Sequence, residues 1–297
     1  MTGIICINKP EGITSFGAVA KVRGITREKK AGHTGTLDPM ATGVLPVMLG
    51  GATKFLDFLP ESDKGYRASF ILGKRTDTLD ITGEIISENE VSVSDDEVEK
   101  ALEKFRGKIS QLPPMFSAKS VDGVRLYELA RQGVEIDREP CEVEIKKLEL
   151  LKKNGNEYII DVLCSKGTYI RSLISDIGDE LGCGAVMTSL CRTYASGFSL
   201  ENCVSINELQ NMKDCGKGFK KVLIPLENIF SQYEKTYVSA AQAKRFSNGG
   251  ALDINRIKKA PEVMRLTAVY SDTDEFLGLG RNENGELKVI RLLSRRD

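Results

Sequence analysis

The most informative stretch of the chain is Gly32-His33-Thr34-Gly35-Thr36-Leu37-Asp38-Pro39-Met40-Ala41-Thr42-Gly43. It places the only histidine and one carboxylate among small residues, and its glycines allow the backbone to turn tightly. Because the stretch holds few large apolar side chains, it can bury little surface. This pattern is typical of a site loop, and it indicates that Asp38 is brought close to a bulky ligand.

Three further motifs accompany this loop along the first two thirds of the chain. They read KPEGITS at residues 9–15, KGY at 64–66 and SKGTYIR at 165–171. Together with the loop, they resemble the motifs of the TruB-type tRNA pseudouridine synthases, whose catalytic loop reads GHTGTLDPxATG. The resemblance implies an isomerase that flips uridine 55 out of the T loop of tRNA and converts it to pseudouridine. It also implies that the T-arm of tRNA is the binding partner.

The same resemblance implies which residues carry the reaction. Asp38 is the nucleophile, Arg171 holds its charge, and Tyr66 stacks on the uracil and removes the proton from C5. Attack at C6 of the base and attack at C1′ of the sugar both fit this set. The substrate-binding residues implied by the resemblance are Tyr169, His33, Leu190, Lys64 and Lys9.

The chemistry of these residue types fits the two central roles. A carboxylate is a competent nucleophile when it is ionised, and burial under a nucleotide would raise its pKa, so a neighbouring cation is needed. We expect Arg171 in the first turn of a helix, where the helix dipole disfavours a cation by about 0.3–1 kcal/mol and a carboxylate would offset the penalty. The alternative for Arg171 is an ordinary surface arginine.

The remaining candidates also have structural alternatives. Tyrosine rings either stack on a base, which is worth about 1–3 kcal/mol, or fill a core with a satisfied hydroxyl group. His33 either contacts the RNA or hydrogen-bonds the loop backbone. Lys9 and Lys64 either meet phosphates or brace the site loop.

The chain departs from the family pattern at Leu190-Cys191-Arg192-Thr193. Members of the family commonly carry two adjacent arginines there. Cys191 removes one phosphate contact from the expected RNA footprint, and we expect Arg192 and Thr193 to retain theirs.

Composition excludes several classes of protein. Lys+Arg and Asp+Glu are both 42, so any cations that bind RNA must be segregated on one face. The seven cysteines are scattered without a CxxC pair, and with a single histidine they predict reduced thiols and no metal site. Pseudouridine formation is redox-neutral, so we expect no cofactor.

The chain also lacks the sequence signals of export. The apolar run at residues 3–7 has no basic region before it and is too short for a signal peptide. No apolar stretch approaches the length needed to span a membrane. We therefore expect a cytoplasmic monomer with no membrane contact and no obligatory protein partner.

Interleaved strand and helix patterns predict an α+β fold built on a mixed sheet. Alternating apolar residues indicate strands over 66–72 and 158–162. Helical spacing predicts a helix over 95–106, preceded by a capping box, and another over 170–181. The second helix begins with two candidate site residues that lie off its apolar stripe.

We predict a catalytic domain at residues 1–230, with an insertion at about 112–140, and a small β-rich domain at 231–297. The insertion is basic and bounded by prolines, with a short helix near 126–129. The resemblance implies a flexible, thumb-like segment that orders on RNA, and a plain surface loop is the alternative. The C-terminal part has a hairpin signal at Asn284-Gly285 and resembles a PUA-like RNA-binding domain. Its separate pattern predicts an independently folded unit.

Two other classes of function compete with this prediction. Aspartyl-phosphate phosphotransferases also use a carboxylate in a Thr/Gly-rich loop, but Asp38-Pro39-Met40 lacks their second carboxylate. The chain has no GxxxxGK[ST] motif either. A noncatalytic RNA-binding or chaperone protein would have little need of Asp38, Tyr66 and Arg171 together. We therefore predict an enzyme, with an additional RNA-binding role left open.

Overall fold

The fold is described from a computed structural model, which covers residues 1–59, 63–117, 119–121, 123–154 and 156–293. The strands in this part of the chain are β1 (Gly3–Lys9), β2 (Ala31–His33), β3 (Thr42–Leu49), β4 (Lys64–Leu72), β5 (Lys74–Thr76), β6 (Ile85–Glu88), β7 (Gly107–Gln111), β8 (Ser120–Val121), β9 (Val124–Arg125), β10 (Cys141–Asn154), β11 (Glu157–Cys164), β12 (Ala185–Ala195), β13 (Phe198–Ser199), β14 (Glu234–Val238), β15 (Leu252–Asp253), β16 (Leu266–Ser271), β17 (Phe276–Glu283) and β18 (Glu286–Leu292). The α-helices are α1 (Ser15–Thr26), α2 (Asp95–Lys104), α3 (Leu126–Ala130), α4 (Ile170–Glu180), α5 (Ile206–Asp214), α6 (Leu226–Ile229) and α7 (Ala240–Ser247). Short 3-10 helices occupy Gly50–Phe58, Leu200–Asn202, Phe230–Gln232 and Ile254–Arg256.

The larger sheet runs in the order β1-β3-β12-β4-β11-β10-β7. Strand β12 is parallel to β3 and antiparallel to β4, so the sheet is mixed, as predicted. Helix α4 lies close against β12, because a Cβ at Gly178 would fall 2.1 Å from the backbone nitrogen of Ala185 and only glycine leaves that space. This packing sets α4 against β12, near the centre of the sheet.

The locally predicted elements are confirmed. The capping box is present at the start of α2, where the Ser94 amide donates to the Glu97 carboxylate at 2.9 Å. The predicted strands lie within β4 and β11, and the predicted helix at 170–181 is α4. These elements follow from short-range patterns, namely a capping pair, alternation and a helical stripe.

The insertion leaves and re-enters the larger sheet at neighbouring positions. Gln111 at the end of β7 is the direct strand partner of Cys141 at the start of β10. Between them the chain forms the β8-β9 hairpin and the short helix α3, at the predicted position. Residues 118 and 122 of the predicted insertion lie outside the described residues.

The C-terminal part is β-rich, as predicted, with the sheet order β14-β16-β17-β18-β15. Strands β17 and β18 are joined by the predicted turn, in which Asn284 and Gly285 have φ values of 54° and 78°. The domain boundary near residue 230 stays a prediction.

The two sheets share one hydrophobic cluster. The ring of Phe55, from the 3-10 helix after β3, lies 5.5 Å from that of Phe230 and 6.0 Å from that of Phe276 in β17. These rings are buried with apolar residues from β1 and β3 and from β16 and β17. This shared core argues against the independent folding expected for the C-terminal part.

Within the described residues, none of the helices combines the length and the apolar character needed to cross a lipid bilayer.

Candidate active site

The site loop, residues 32–43, begins in β2 and ends in β3, and its centre faces the first turn of α4. Next to it opens a cavity of about 520 Å³, a size that suits a nucleotide. Strand β4, strand β12, helix α4 and the base of the insertion supply the other walls. Six of the predicted site residues line this cavity: Asp38, Lys64, Tyr66, Tyr169, Arg171 and Leu190.

Asp38 and Arg171 form an ion pair at the cavity, with the Nε atom of Arg171 3.1 Å from Oδ2 of Asp38. Arg171 is 5% exposed, so it is not the ordinary surface arginine of the alternative interpretation. Its Nη1 donates to the carbonyl of Thr78 at 2.9 Å and its Nη2 to that of Phe116 at 2.7 Å. Phe116 belongs to the insertion, so Arg171 links the nucleophile candidate directly to the base of that segment.

A second carboxylate, which the sequence reasoning missed, also faces Arg171. Oδ2 of Asp80 lies 3.6 Å from Nη1 of Arg171, and Asp80 is 4% exposed. Its Oδ1 accepts hydrogen bonds from the Thr82 amide and the Thr78 hydroxyl, both at 3.0 Å. Asp80 sits in a turn after β5, where the only sequence signal is a Thr/Asp-rich stretch that reads as an ordinary polar loop.

The surroundings of Asp38 hold its carboxyl group in place and also raise its pKa. Burial raises the pKa of the Asp38 carboxyl, the Arg171 guanidinium lowers it, and the Asp80 carboxylate raises it again. The net direction is upward. A carboxylate with a raised pKa is also more basic, which favours its action as a nucleophile once the substrate has entered.

Tyr66 lies in β4 beside the ion pair and is 6% exposed. Burial raises the pKa of its hydroxyl to about 12, so the phenol is neutral near pH 7. Leu190 on the neighbouring strand β12 is 8% exposed and lines the same cavity. The ring and the leucine side chain therefore form an apolar wall beside two charged groups.

Tyr169 directly precedes α4 and is held through its backbone. The side-chain amide of Gln111 accepts from the Tyr169 amide at 2.8 Å and donates to the Tyr169 carbonyl at 3.1 Å. Gln111 is 2% exposed and was not among the sequence candidates. It satisfies backbone groups at a helix start that lacks a side-chain cap.

Buried polar side chains hold the site loop on both sides of Asp38. Lys9 is fully buried, and its Nζ donates to the carbonyls of Ile13 at 2.7 Å and Pro39 at 3.2 Å. The Ser15 hydroxyl accepts from the Leu37 amide at 2.7 Å. Of the two roles weighed for Lys9, these contacts fit the bracing role, because a fully buried ammonium group has no open face for a phosphate.

Arg192 is also fully buried, so the expectation that it contributes a phosphate contact is wrong. Its guanidinium donates to backbone carbonyls of the site loop instead. No sequence pattern indicated this burial, because arginine is most often a surface residue.

His33 lies at the second cavity, of about 690 Å³, on the other side of the Asp38–Arg171 pair. Its Nδ1 is buried and has no hydrogen-bond partner among the described residues, so a backbone bond to this atom is not formed. Burial, assisted by the charge of Arg192, lowers the pKa of His33. This cavity also exposes Arg125, Tyr127 and Arg131 of the insertion.

Cations outnumber carboxylates around the first cavity. Lys64, Lys119, Lys166 and Arg171 line it together with Asp38 and Glu142 as its acidic members. This local excess of positive charge favours a polyanionic ligand at the cavity. Among the described residues there is no cluster of three histidine, cysteine or carboxylate side chains that could hold a metal ion.

Comparisons with known proteins agree along the whole chain. Three family models match in succession: the N-terminal domain of the TruB family pseudouridylate synthases at residues 23–170, the tRNA pseudouridylate synthase B C-terminal domain at 171–231, and the pseudouridine synthase II TruB C-terminal model at 235–293. The tRNA pseudouridine synthase B of Clostridium tetani is 41% identical over 294 residues, covering 99% of this chain and all of the relative. That of Clostridium perfringens (strain 13 / Type A) is 44% identical over 296 residues, covering 99% of each chain.

Solved structures show the same architecture. A chain of a Cbf5-Nop10-Gar1 complex matches with a TM-score of 0.74 and 27% identity, over 99% of this chain and 86% of that one. A chain of an H/ACA RNP bound to a substrate RNA containing 2'-deoxyuridine matches with a TM-score of 0.73, 26% identity and the same coverage. Fold and site together define an RNA-modifying isomerase. The chain belongs to the TruB family of tRNA pseudouridine synthases.

Proposed function

We propose that this enzyme isomerises uridine 55 in the T loop of tRNA to pseudouridine, with Asp38 as the nucleophile. The observation that carries the proposal is the Asp38–Arg171 ion pair, at 3.1 Å, in the wall of a cavity of about 520 Å³. The carboxylate is 35% exposed on its side chain, so it is accessible to a base that enters the cavity. Arg171 is 5% exposed, donates hydrogen bonds to the carbonyls of Thr78 and Phe116, and forms a second ion pair with Asp80.

The cavity supports base flipping as the route of entry. An enzyme that acts on a base within a folded RNA must take that base out of its stack into a pocket. Tyr66 and Leu190 offer an apolar wall for the uracil, and Tyr169, which precedes α4, lines the same cavity. Lys64, Lys119 and Lys166 supply positive charge for the backbone of the flipped nucleotide.

The chemistry needs only groups of the chain. The N1–C1′ bond breaks, the uracil turns, C1′ bonds to C5, C5 loses its proton and N1 takes up a proton, so the isomerisation is redox-neutral and adds no group. We infer that Asp38 supplies the transient covalent bond and Tyr66 contacts the uracil near C5. We also propose that the enzyme acts without a cofactor, as a cytoplasmic monomer that engages the T-arm without a protein partner.

The position of the modified nucleotide is the sharpest test. A tRNA transcript labelled with tritium at C5 of its uridines should release one tritium per molecule, and reverse-transcription mapping should place the pseudouridine at position 55. A transcript with cytidine at position 55 should release none. Tritium release from that second transcript at the wild-type rate would contradict the assignment of uridine 55.

A further inference from the structure

Arg192 is the largest fully buried side chain of the molecule's described part, and the chemistry proposed above leaves it without a role. We propose that Arg192 is a positioning residue for the reaction: its single guanidinium fixes the backbone that carries Asp38, and its strand pairing fixes Tyr66 on the same face of the sheet. The inference rests on the proposed roles of Asp38 and Tyr66. It extends them to a residue whose own side chain does not line the cavity.

The guanidinium reaches the site loop and the strand that follows it. Nη2 donates to the carbonyl of Gly35 at 3.1 Å, Nη1 to that of Thr36 at 3.2 Å, and Nε to that of Val44 at 2.8 Å. Gly35 and Thr36 precede Asp38, while Val44 follows the loop in β3. One planar group therefore holds the chain on both sides of Asp38.

The backbone of Arg192 adds a second attachment. In β12 it pairs with Gly43, the last residue of the loop, on the adjacent parallel strand β3. A Cβ at Gly43 would lie 2.2 Å from the carbonyl oxygen of Arg192, and Gly43 has a φ of 103°. Only glycine permits this approach, so the end of the loop is fixed against Arg192 through both conformation and space.

Tyr66 lies on the other side of the same residue. Arg192 in β12 is the direct antiparallel partner of Tyr66 in β4, so both side chains point to the same face of the sheet. The guanidinium charge lowers the pKa of the Tyr66 phenol, against the larger opposite effect of burial. The two groups that are to act on the uracil thus share one anchor.

The guanidinium of Arg192 has no carboxylate partner among the described residues, and its donors are satisfied by the carbonyl oxygens of Gly35, Thr36 and Val44. A buried cation is costly unless its donors are satisfied, and a flat guanidinium can serve several acceptors in fixed directions. Lysine carries the same charge on a single donor atom and cannot span the loop and β3 together. The geometry therefore requires arginine specifically.

The test compares Arg192→Lys and Arg192→Met with the wild type in single-turnover tritium release at saturating tRNA, alongside RNA affinity and thermal melting. We expect the saturating rate to fall about 100-fold in Arg192→Met and about 10-fold in Arg192→Lys, since small displacements of reacting groups cost this much. RNA affinity should stay within about threefold of wild type in both variants, because the lost contacts act on the chemical step. A smaller loss of rate in Arg192→Lys than in Arg192→Met distinguishes the effect of the positive charge, which lysine retains, from the effect of the guanidinium's several donors, which both variants lose.

Asn282→Ala serves as the control for lost stability, because it removes a buried bond to the Pro261 carbonyl in the C-terminal sheet. It should lower the melting temperature and leave the saturating rate unchanged. The proposal is wrong if both Arg192 variants react at the wild-type rate, if only their RNA affinity falls, or if neither folds. An equal loss of rate in Asn282→Ala would also overturn it. Because rates are compared on any tRNA uridine the wild type modifies, the result does not depend on the assignment of position 55.

Discussion

Replacement of Asp38 by asparagine should abolish the reaction and leave the fold intact. The change keeps the size of the side chain and removes the nucleophilic charge, so we expect the saturating single-turnover rate to fall by at least about 10⁴-fold. Tritium release from C5-labelled tRNA measures this rate. RNA affinity should stay within about threefold of wild type, since binding depends on groups that remain.

The effect of this substitution on stability follows from the contacts of Arg171. Losing the charged partner at 3.1 Å replaces an ion pair by the weaker interaction of the charged arginine with a neutral amide, a loss of about 1 kcal/mol. Arg171 keeps Asp80 and two carbonyls, so its charge is not left unpaired. The burial that raises the pKa of Asp38 is relieved at the same time. With the side chain 35% exposed, we expect a net change within about 1 kcal/mol, which corresponds to less than about 4 °C in melting temperature.

The pH dependence of the melting temperature shows whether the charge of Asp38 stabilises or destabilises the folded protein. Because the pKa of Asp38 is raised above 3.8, the folded protein binds its proton more tightly than the unfolded chain does. The wild type therefore loses stability as the pH rises from 3.8 through the raised pKa, and Asp38→Asn does not. The melting temperature of the variant relative to wild type should increase from pH 4 to pH 7.

Asp161→Asn is the matched control for Asp38→Asn. It makes the same chemical change in an ion pair that joins β11 to β4, in which Nε of Arg67 lies 2.8 Å from Oδ1 of Asp161. Neither residue lines the cavity. We expect its reaction rate to equal that of wild type. Residual turnover near the wild-type level in folded Asp38→Asn would remove Asp38 from the mechanism and refute the central proposal.

Three further outcomes are expected. Tyr66→Phe keeps the stacking ring but loses the hydroxyl, so the saturating rate should fall by about 100-fold with RNA affinity unchanged; weaker binding at a normal rate would argue for stacking alone. Arg131→Gln in the insertion should weaken tRNA binding and lower the slope of log affinity against log salt by about one, measured by filter binding, whereas an unchanged slope would exclude a phosphate contact. Truncation after Ser231 removes Phe276 and uncovers Phe55, so cooperative melting should be lost; an intact melt would show that the catalytic part folds alone.

Much of the secondary structure and the central pair of the site could be predicted from the sequence. The capping box of α2, the alternation in β4 and the Asn284-Gly285 turn depend on residues a few positions apart, and such local preferences are expressed wherever the segment lies. The loop around Asp38 was recognisable because its small residues form a continuous motif. Its pairing with Arg171 followed from the family resemblance, since the two residues lie far apart in the chain and the residues alone left a surface arginine as the alternative.

The groups that hold this pair could not be predicted, because only the tertiary structure brings them together. The bond from Arg192 to the Thr36 carbonyl spans 156 positions, and that from Gln111 to the Tyr169 backbone spans 58. Neither contact leaves a periodic or local signal in the sequence. The register of β12 determines which carbonyls lie near Arg192, and the position of the first residues of α4 determines which lie near Gln111. Asp80 lies in a polar turn and Arg192 was expected to meet a phosphate, yet both side chains are buried. The sequence, through its family motifs, thus predicted the proposed reacting groups and determined the local elements, whereas the folded sheet decided which buried donors and acceptors surround those groups.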